Sequence, residues 1–125
     1  MHEWKVLLVD DEEEFVTTLA ERLRLRGIPV RTSTDGEEAL RMIETDPPQV
    51  VVLDVLMPGL GGLEVLKRIK ADFRKVKVIL LTGQGSTWDG IQGMRMGVFD
   101  YLMKPLNINE LIEKIREAMN AYGED

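Results

Sequence analysis

Five short apolar runs rich in Val, Ile and Leu recur at wide intervals along the chain: Val6 to Val9, Val30 to Thr34, Val50 to Leu53, Val76 to Leu81 and Phe99 to Met103. Each has the length of a strand, and several are continuously apolar, as a parallel sheet covered on both faces requires. The intervals between them carry helical periodicity instead. Phe15, Leu19 and Leu23, with Val16 and Ala20 beside them, repeat at three- and four-residue spacing until Gly27, a natural helix stop. Ala39, Leu40 and Ile43 form a second stripe, opened by Thr34 and Glu37 read as a capping box and closed by Pro47-Pro48. Leu63, Leu66 and Ile69 make a third, and Ile91, Met94 and Arg95 lie in a fourth that ends at Gly97. Ile108, Leu111, Ile112, Ile115 and Met119 make the last, with Asn107 and Glu110 placed to cap it. Strand and helix thus alternate five times, which predicts a doubly wound α/β domain with a five-stranded parallel sheet flanked by five helices.

Composition narrows this further. A chain of 125 residues, 44% hydrophobic and 30% charged, has the size of one domain with one core, so residues 1–125 are read as a single unit, itself compatible with being a module of a longer protein. The 22 acidic residues outnumber the 16 basic ones, and no run of Lys and Arg could track a phosphate backbone, which argues against direct nucleic-acid binding. The absence of cysteine excludes disulfides, thiolate metal sites and thiol catalysis. The first residues lack the length and cleavage site of a signal peptide, and no apolar stretch approaches a membrane span. A cytoplasmic protein with no membrane partner is the expectation.

Chemistry concentrates where apolar runs end. The first runs into Asp10-Asp11, the third into Asp54, the fourth into Thr82 and the fifth into Lys104-Pro105. In an open α/β sheet, ligands bind beyond the carboxyl ends of the strands. If the strand order is 2-1-3-4-5, the first and third strands are neighbours and three carboxylates share one crevice. Such a trio repels itself unless a cation or protons intervene. Carboxylate oxygens without His or Cys suit Mg²⁺. A carboxylate beside such an ion can attack phosphorus, with Lys104 offering a point charge and Thr82 a hydroxyl to the phosphoryl oxygens.

These residues resemble the receiver domains of bacterial response regulators. The resemblance runs from Lys5 to about Ala121. It rests on Val9-Asp10-Asp11, on Leu53-Asp54-Val55-Leu56-Met57-Pro58-Gly59, on Leu81-Thr82-Gly83 and on Asp100-Tyr101-Leu102-Met103-Lys104-Pro105. Each motif alone is weak, whereas all four in order at strand ends are specific. The resemblance implies a flavodoxin-like receiver fold of strand order 2-1-3-4-5, with Asp54 as phosphoacceptor. It implies Mg²⁺ held by Asp10, Asp11, Asp54 and the Leu56 backbone carbonyl, and a phosphoryl group bound by Lys104 and the Gly83 backbone amide. Thr82 and Tyr101 become the switch pair, and Lys104-Pro105 is expected to be cis. The implied partners are a sensor histidine kinase or phosphotransfer protein and a target protein or output domain. They meet a face built from the fourth helix, fifth strand and fifth helix, where a phosphorylation-linked homodimer could also form.

Three positions depart from commoner forms of the family. Gly83 follows the switch threonine where Ala is frequent, and Gly61 stands where a polar residue is common. Leu56 and Gln84 fill the variable positions that tune hydrolysis, and an apolar Leu56, unable to orient water, predicts slow self-dephosphorylation. The residues themselves add that Gly90 and Gly93 weaken the fourth helix, each by roughly 1 kcal/mol relative to Ala.

Plainer readings compete. Taken singly, Asp10, Asp11 and Asp54 read as loop or capping carboxylates favoured by the helix dipole, and only their combination with Thr82 and Lys104 reverses this. Glu12, Glu13 and Glu14 read as a solvated first turn, and Lys67, Arg68 and Lys70 as the wet face of the third helix. His2 reads as neither ligand nor phosphodonor. Met94, Met96 and Met103 divide between core filling and partner contact, and Trp88 reads as an exposed contact. A haloacid-dehalogenase-type phosphatase needs a second Asp two residues after the nucleophile, where this chain has Leu56. A flavodoxin needs a phosphate loop after the first strand, where this chain has carboxylates. A degenerate receiver that binds without phosphorylation is opposed by the intact set of five site residues. The chain is therefore read as a regulated switch, not an enzyme beyond catalysing its own phosphorylation and slow dephosphorylation.

Overall fold

The computed structural model describes residues 5–55, 57, 59–83 and 87–123, without the side chains of 87–90. Strands β1 (Val6–Val9), β2 (Val30–Ser33), β3 (Val50–Asp54), β4 (Lys77–Thr82) and β5 (Asp100–Met103) alternate with helices α1 (Glu13–Leu25), α2 (Gly36–Thr45), α3 (Gly62–Asp72), α4 (Thr87–Arg95) and α5 (Ile108–Asn120). All pairings are parallel and the order is β2-β1-β3-β4-β5, as the resemblance implies.

Alternation along each strand sends neighbouring side chains to opposite faces. Val6, Leu8, Val50, Val52, Ile79, Leu81 and Leu102 pack with α1 and α5. Leu7, Val9, Val51, Leu53, Val78 and Leu80 pack with α2 and α3 on the other face. Both layers are almost dry, which is why the central strands read as unbroken apolar runs.

The structure corrects several local expectations. Helix α2 is capped by Asp35, whose side chain accepts from the Glu38 backbone N–H, and not by a Thr34–Glu37 box. One residue of register suffices for this: Ser33 Oγ also donates to Glu38 Oε1 at 2.7 Å, tying the strand end to the helix start. In α3 the buried residues are Gly62, Val65, Leu66 and Ile69, while Leu63 is only half-buried. The fourth apolar stripe faces outward: Ile91 and Met94 are 45% and 47% exposed, and Gly93 takes the inner position. Helix α4 approaches β4 so closely that a Cβ on Gly93 would lie 2.5 Å from Leu80 Cδ2. Gly93 therefore has a packing role beyond lowering helix propensity. Gly27 (φ 82°) and Gly97 (φ 91°) end their helices in the left-handed region, as read from sequence. Asn107 caps α5 by accepting from the Glu110 N–H. Lys67 and Arg68 lie on the exposed side of α3, while Lys70 is half-buried with its chain beside Gly97. Trp88 and Gly90 lie outside the described side chains, and His2 outside the described residues.

Candidate functional site

The strand ends bring the acidic residues together through backbone pairing. The Asp10 N–H donates to Ser33 O at 3.1 Å, the Val55 N–H to Leu81 O at 2.9 Å and the Lys104 N–H to Thr82 O at 2.8 Å. The ladders thus continue past the strands and fix the residues just beyond them. Asp10, Asp11 and Asp54 each place a carboxylate oxygen within 4.8 Å of the others. Asp10 is wholly buried and Asp54 6% exposed, while Asp11 opens to solvent.

Gly62 explains how the turn after β3 is held. A Cβ there would collide with the Asp54 backbone oxygen and lie 2.7 Å from Val55 Cα, so only glycine lets the start of α3 rest on the Asp54–Val55 backbone. The Gly62 N–H donates to Val55 O at 3.2 Å across this contact.

Lys104 reaches the carboxylates from β5. Its Nζ lies 2.7 Å from Asp10 Oδ2, 3.0 Å from Glu12 Oε1 and 4.3 Å from the centroid of the Phe15 ring. Burial pulls the Lys104 pKa down, but the hydrogen bonds to Asp10 and Glu12 and the charges of Asp10 and Asp54 outweigh it, and the net shift is upward. The other Asp10 oxygen accepts from the Glu12 backbone N–H at 3.0 Å. The bond from Lys104 to Pro105 is cis.

Thr82 and Tyr101 belong to the other face. In the β4–β5 register Leu80 pairs with Tyr101 and Thr82 with Met103, which puts these four on the side covered by α4. The Tyr101 ring is half-buried against the core of that side. Thr82 Oγ1 is buried and, among the described residues, is the side-chain polar atom without a hydrogen-bond partner. Such an orphan costs about 1–3 kcal/mol and points to a role outside the resting fold.

The donor set fits a hard divalent cation: three carboxylates converge, and no His or Cys lies among the described residues. Leu56 and Gln84 lie outside the described residues, while Gly83 is half-buried directly after Thr82. Two neighbours of Lys104, Glu12 and Phe15, escaped sequence reading. Glu12 looked like one of three solvated acids, and the separation of 92 positions from Lys104 hid the pairing. Both also line a groove of about 690 Å³ between α1 and the Lys104-Pro105 loop.

The chain belongs to the response regulator receiver domain family, whose family model matches residues 6–116. It is 38% identical over 115 residues to the alkaline phosphatase synthesis transcriptional regulatory protein PhoP of Bacillus subtilis, covering 92% of this chain and 48% of that protein. It is 40% identical over 115 residues to the transcriptional regulatory protein CpxR of Escherichia coli, again covering 92% of this chain and 49% of the relative. The chain therefore spans about half the length of these curated relatives. Among solved structures, the Francisella response regulator 1452 receiver domain superposes with a TM-score of 0.86 at 34% identity, covering 93% of this chain and 96% of that one. A response regulator receiver domain protein from Clostridium thermocellum gives 0.88 at 34% identity, covering 94% of each.

Proposed function

We propose that this receiver domain is a phosphorylation-dependent signalling switch in which Asp54 accepts a phosphoryl group with Mg²⁺ bound by Asp10, Asp11, Asp54 and the Leu56 carbonyl. The observation that carries this reading is the convergence of three carboxylates within 4.8 Å, two of them buried, against the ammonium of Lys104. When bound, Mg²⁺ supplies the positive charge that lets a further anion approach the trio.

A carboxylate oxygen of Asp54 attacks the phosphorus of a phosphohistidine on a sensor histidine kinase or phosphotransfer protein. The new P–O bond forms as the P–N bond breaks, and the departing imidazole keeps the electron pair. Lys104 turns from Asp10 to a phosphoryl oxygen, and the Gly83 N–H donates to another. The Thr82 hydroxyl, lacking a partner in the resting fold, donates to the same group, and the Tyr101 ring follows it inward.

Both switch residues adjoin α4, so their movement is felt on the face of α4, β5 and α5. Ile91, Met94 and Met103 there are 45%, 47% and 43% exposed, an apolar surface suited to a target protein, an output domain or a second copy. Residues 1–125 act in this reading as one receiver module, in the cytoplasm; among the described residues no helix is long and apolar enough to cross a membrane. Catalysis extends no further than self-phosphorylation and, with Leu56 apolar, slow self-dephosphorylation.

Acetyl phosphate with MgCl₂, followed by intact mass, tests the reading. The wild type should gain the mass of one phosphoryl group as a base-labile adduct, and Asp54→Ala should gain none. An equal adduct on both proteins would overturn it.

A further inference from the structure

Glu12 offers Lys104 a second position that the phosphoryl-transfer chemistry does not use. Of the two carboxylates on the ammonium, Asp10 is wholly buried and is a proposed metal ligand, whereas the Glu12 side chain is 64% exposed. Both Asp10 oxygens are already engaged, one by the Glu12 backbone N–H and one by Lys104. A cation entering between Asp10, Asp11 and Asp54 repels the ammonium from Asp10. The displaced charge, on a side chain only 19% exposed, needs another partner.

Glu12 and the Phe15 face are already in contact with it, at 3.0 Å and 4.3 Å. We infer that Glu12 is a positioning residue that, with Phe15, forms a waiting berth for the Lys104 ammonium, lowering the cost of metal entry before the ammonium is passed to the phosphoryl group. This rests on the switch reading above. Lys104 shares itself between Asp10 and Glu12 in the resting state, with Asp54 also facing it, and keeps Glu12 as the carboxylate in contact with it once Asp10 and Asp54 are both committed to the cation. Removing the Glu12 charge therefore hurts the metal-bound state more than the resting one.

The test is a double-mutant cycle on Mg²⁺ affinity, read by amide NMR shifts during MgCl₂ titration without phosphodonor. Glu12→Gln should weaken Mg²⁺ binding about tenfold when Lys104 is present and about twofold, the bare loss of a nearby charge, in a Lys104→Ala background. At saturating Mg²⁺ the same Glu12→Gln substitution should leave the affinity for beryllofluoride, an acyl-phosphate mimic, unchanged or tighter, because the ammonium no longer has to leave Glu12. A distorted site would lose both affinities. Equal weakening in the two Lys104 backgrounds, no weakening at all, or loss of beryllofluoride binding at saturating Mg²⁺ would each overturn the berth. A wild type that binds no Mg²⁺ would instead overturn the switch reading.

Discussion

Helices α1 and α4 cover opposite faces of one sheet, and they are held in different ways. Helix α1 inserts Val16, Leu19, Ala20 and Leu23 into the core, and its first turn carries the Phe15 ring that lies under the Lys104 ammonium. Among the described side chains of α4, only Gly93 is buried, while Ile91, Met94 and Arg95 face outward. One helix is anchored by bulky side chains and frames the charged site. Over its described residues 91–95, the other rests on the sheet through the close approach of Gly93 and presents apolar surface. Shifting α1 would strip large side chains from the core, whereas shifting the described part of α4, residues 91–95, forfeits little burial, and low local burial is what a movable element requires. The carboxylate–lysine cluster and the proposed switch pair thus sit on separate faces, with Asp10 and Lys104 toward α1 and Thr82 and Tyr101 toward α4.

The largest expected effect tests that contrast directly. Leu23→Ala should cost about 2–5 kcal/mol in urea unfolding, as for a fully buried leucine. Met94→Ala, on the outer side of α4, should stay within about 0.5 kcal/mol. Comparable losses would erase the distinction. Hydrogen exchange gives the same comparison without mutation: amides of α4 should exchange fastest among the five helices, and uniform protection would contradict the proposed mobility.

Two glycines sharpen the comparison at intermediate size. At Gly62 the obstacle is the backbone of Asp54 and Val55, which cannot rotate aside, so Gly62→Ala should cost about 3 kcal/mol and slow adduct formation on Asp54. At Gly93 the obstacle is the end of the Leu80 side chain. Relief by a turn of Leu80, plus a helix-propensity gain of about 1 kcal/mol, offsets most of the overpacking and leaves a net loss of about 1 kcal/mol. If Gly93→Ala instead stabilised the protein by about 1 kcal/mol, propensity alone would explain this glycine.

Much of this was legible beforehand because it depends on local signals. The five strands announce themselves as apolar runs, and Asp10, Asp11, Asp54, Thr82 and Lys104 stand out as polar residues directly after them. The resemblance then supplied the strand order that unites them. What stayed hidden depends on distance or register. Glu12 looked like a solvated neighbour of Glu13 and Glu14 because its partner Lys104 lies far along the chain, just past β5. The orientation of α4 stayed open because Ile91 and Met94 are apolar at helical spacing, and periodicity cannot tell a core-facing stripe from a partner-facing one. The cap of α2 moved by one residue because Ser33, Thr34 and Asp35 all have capping side chains, and only the Ser33–Glu38 hydrogen bond selects among them.

The smallest effect concerns the tie between β5 and α5, on the same face of the sheet as α1. Lys114 Nζ lies 2.8 Å from Asp100 Oδ2, with both side chains about 30% exposed. The hydrogen bond to Asp100 and then its charge raise the Lys114 pKa above the ordinary 10.5, a slight burial working against them. A folded-state pKa raised above the unfolded value means that the ammonium stabilises the fold fully below 10.5 and that this contribution disappears as pH climbs through the higher folded value. Partly exposed pairs contribute less than about 1 kcal/mol. The urea midpoint of the wild type should therefore exceed that of Lys114→Met by a small, constant amount from neutral pH to pH 9, and the two should converge only above 10.5. A gap that widened with pH would mean that the uncharged amine, not the ion pair, holds α5 to β5.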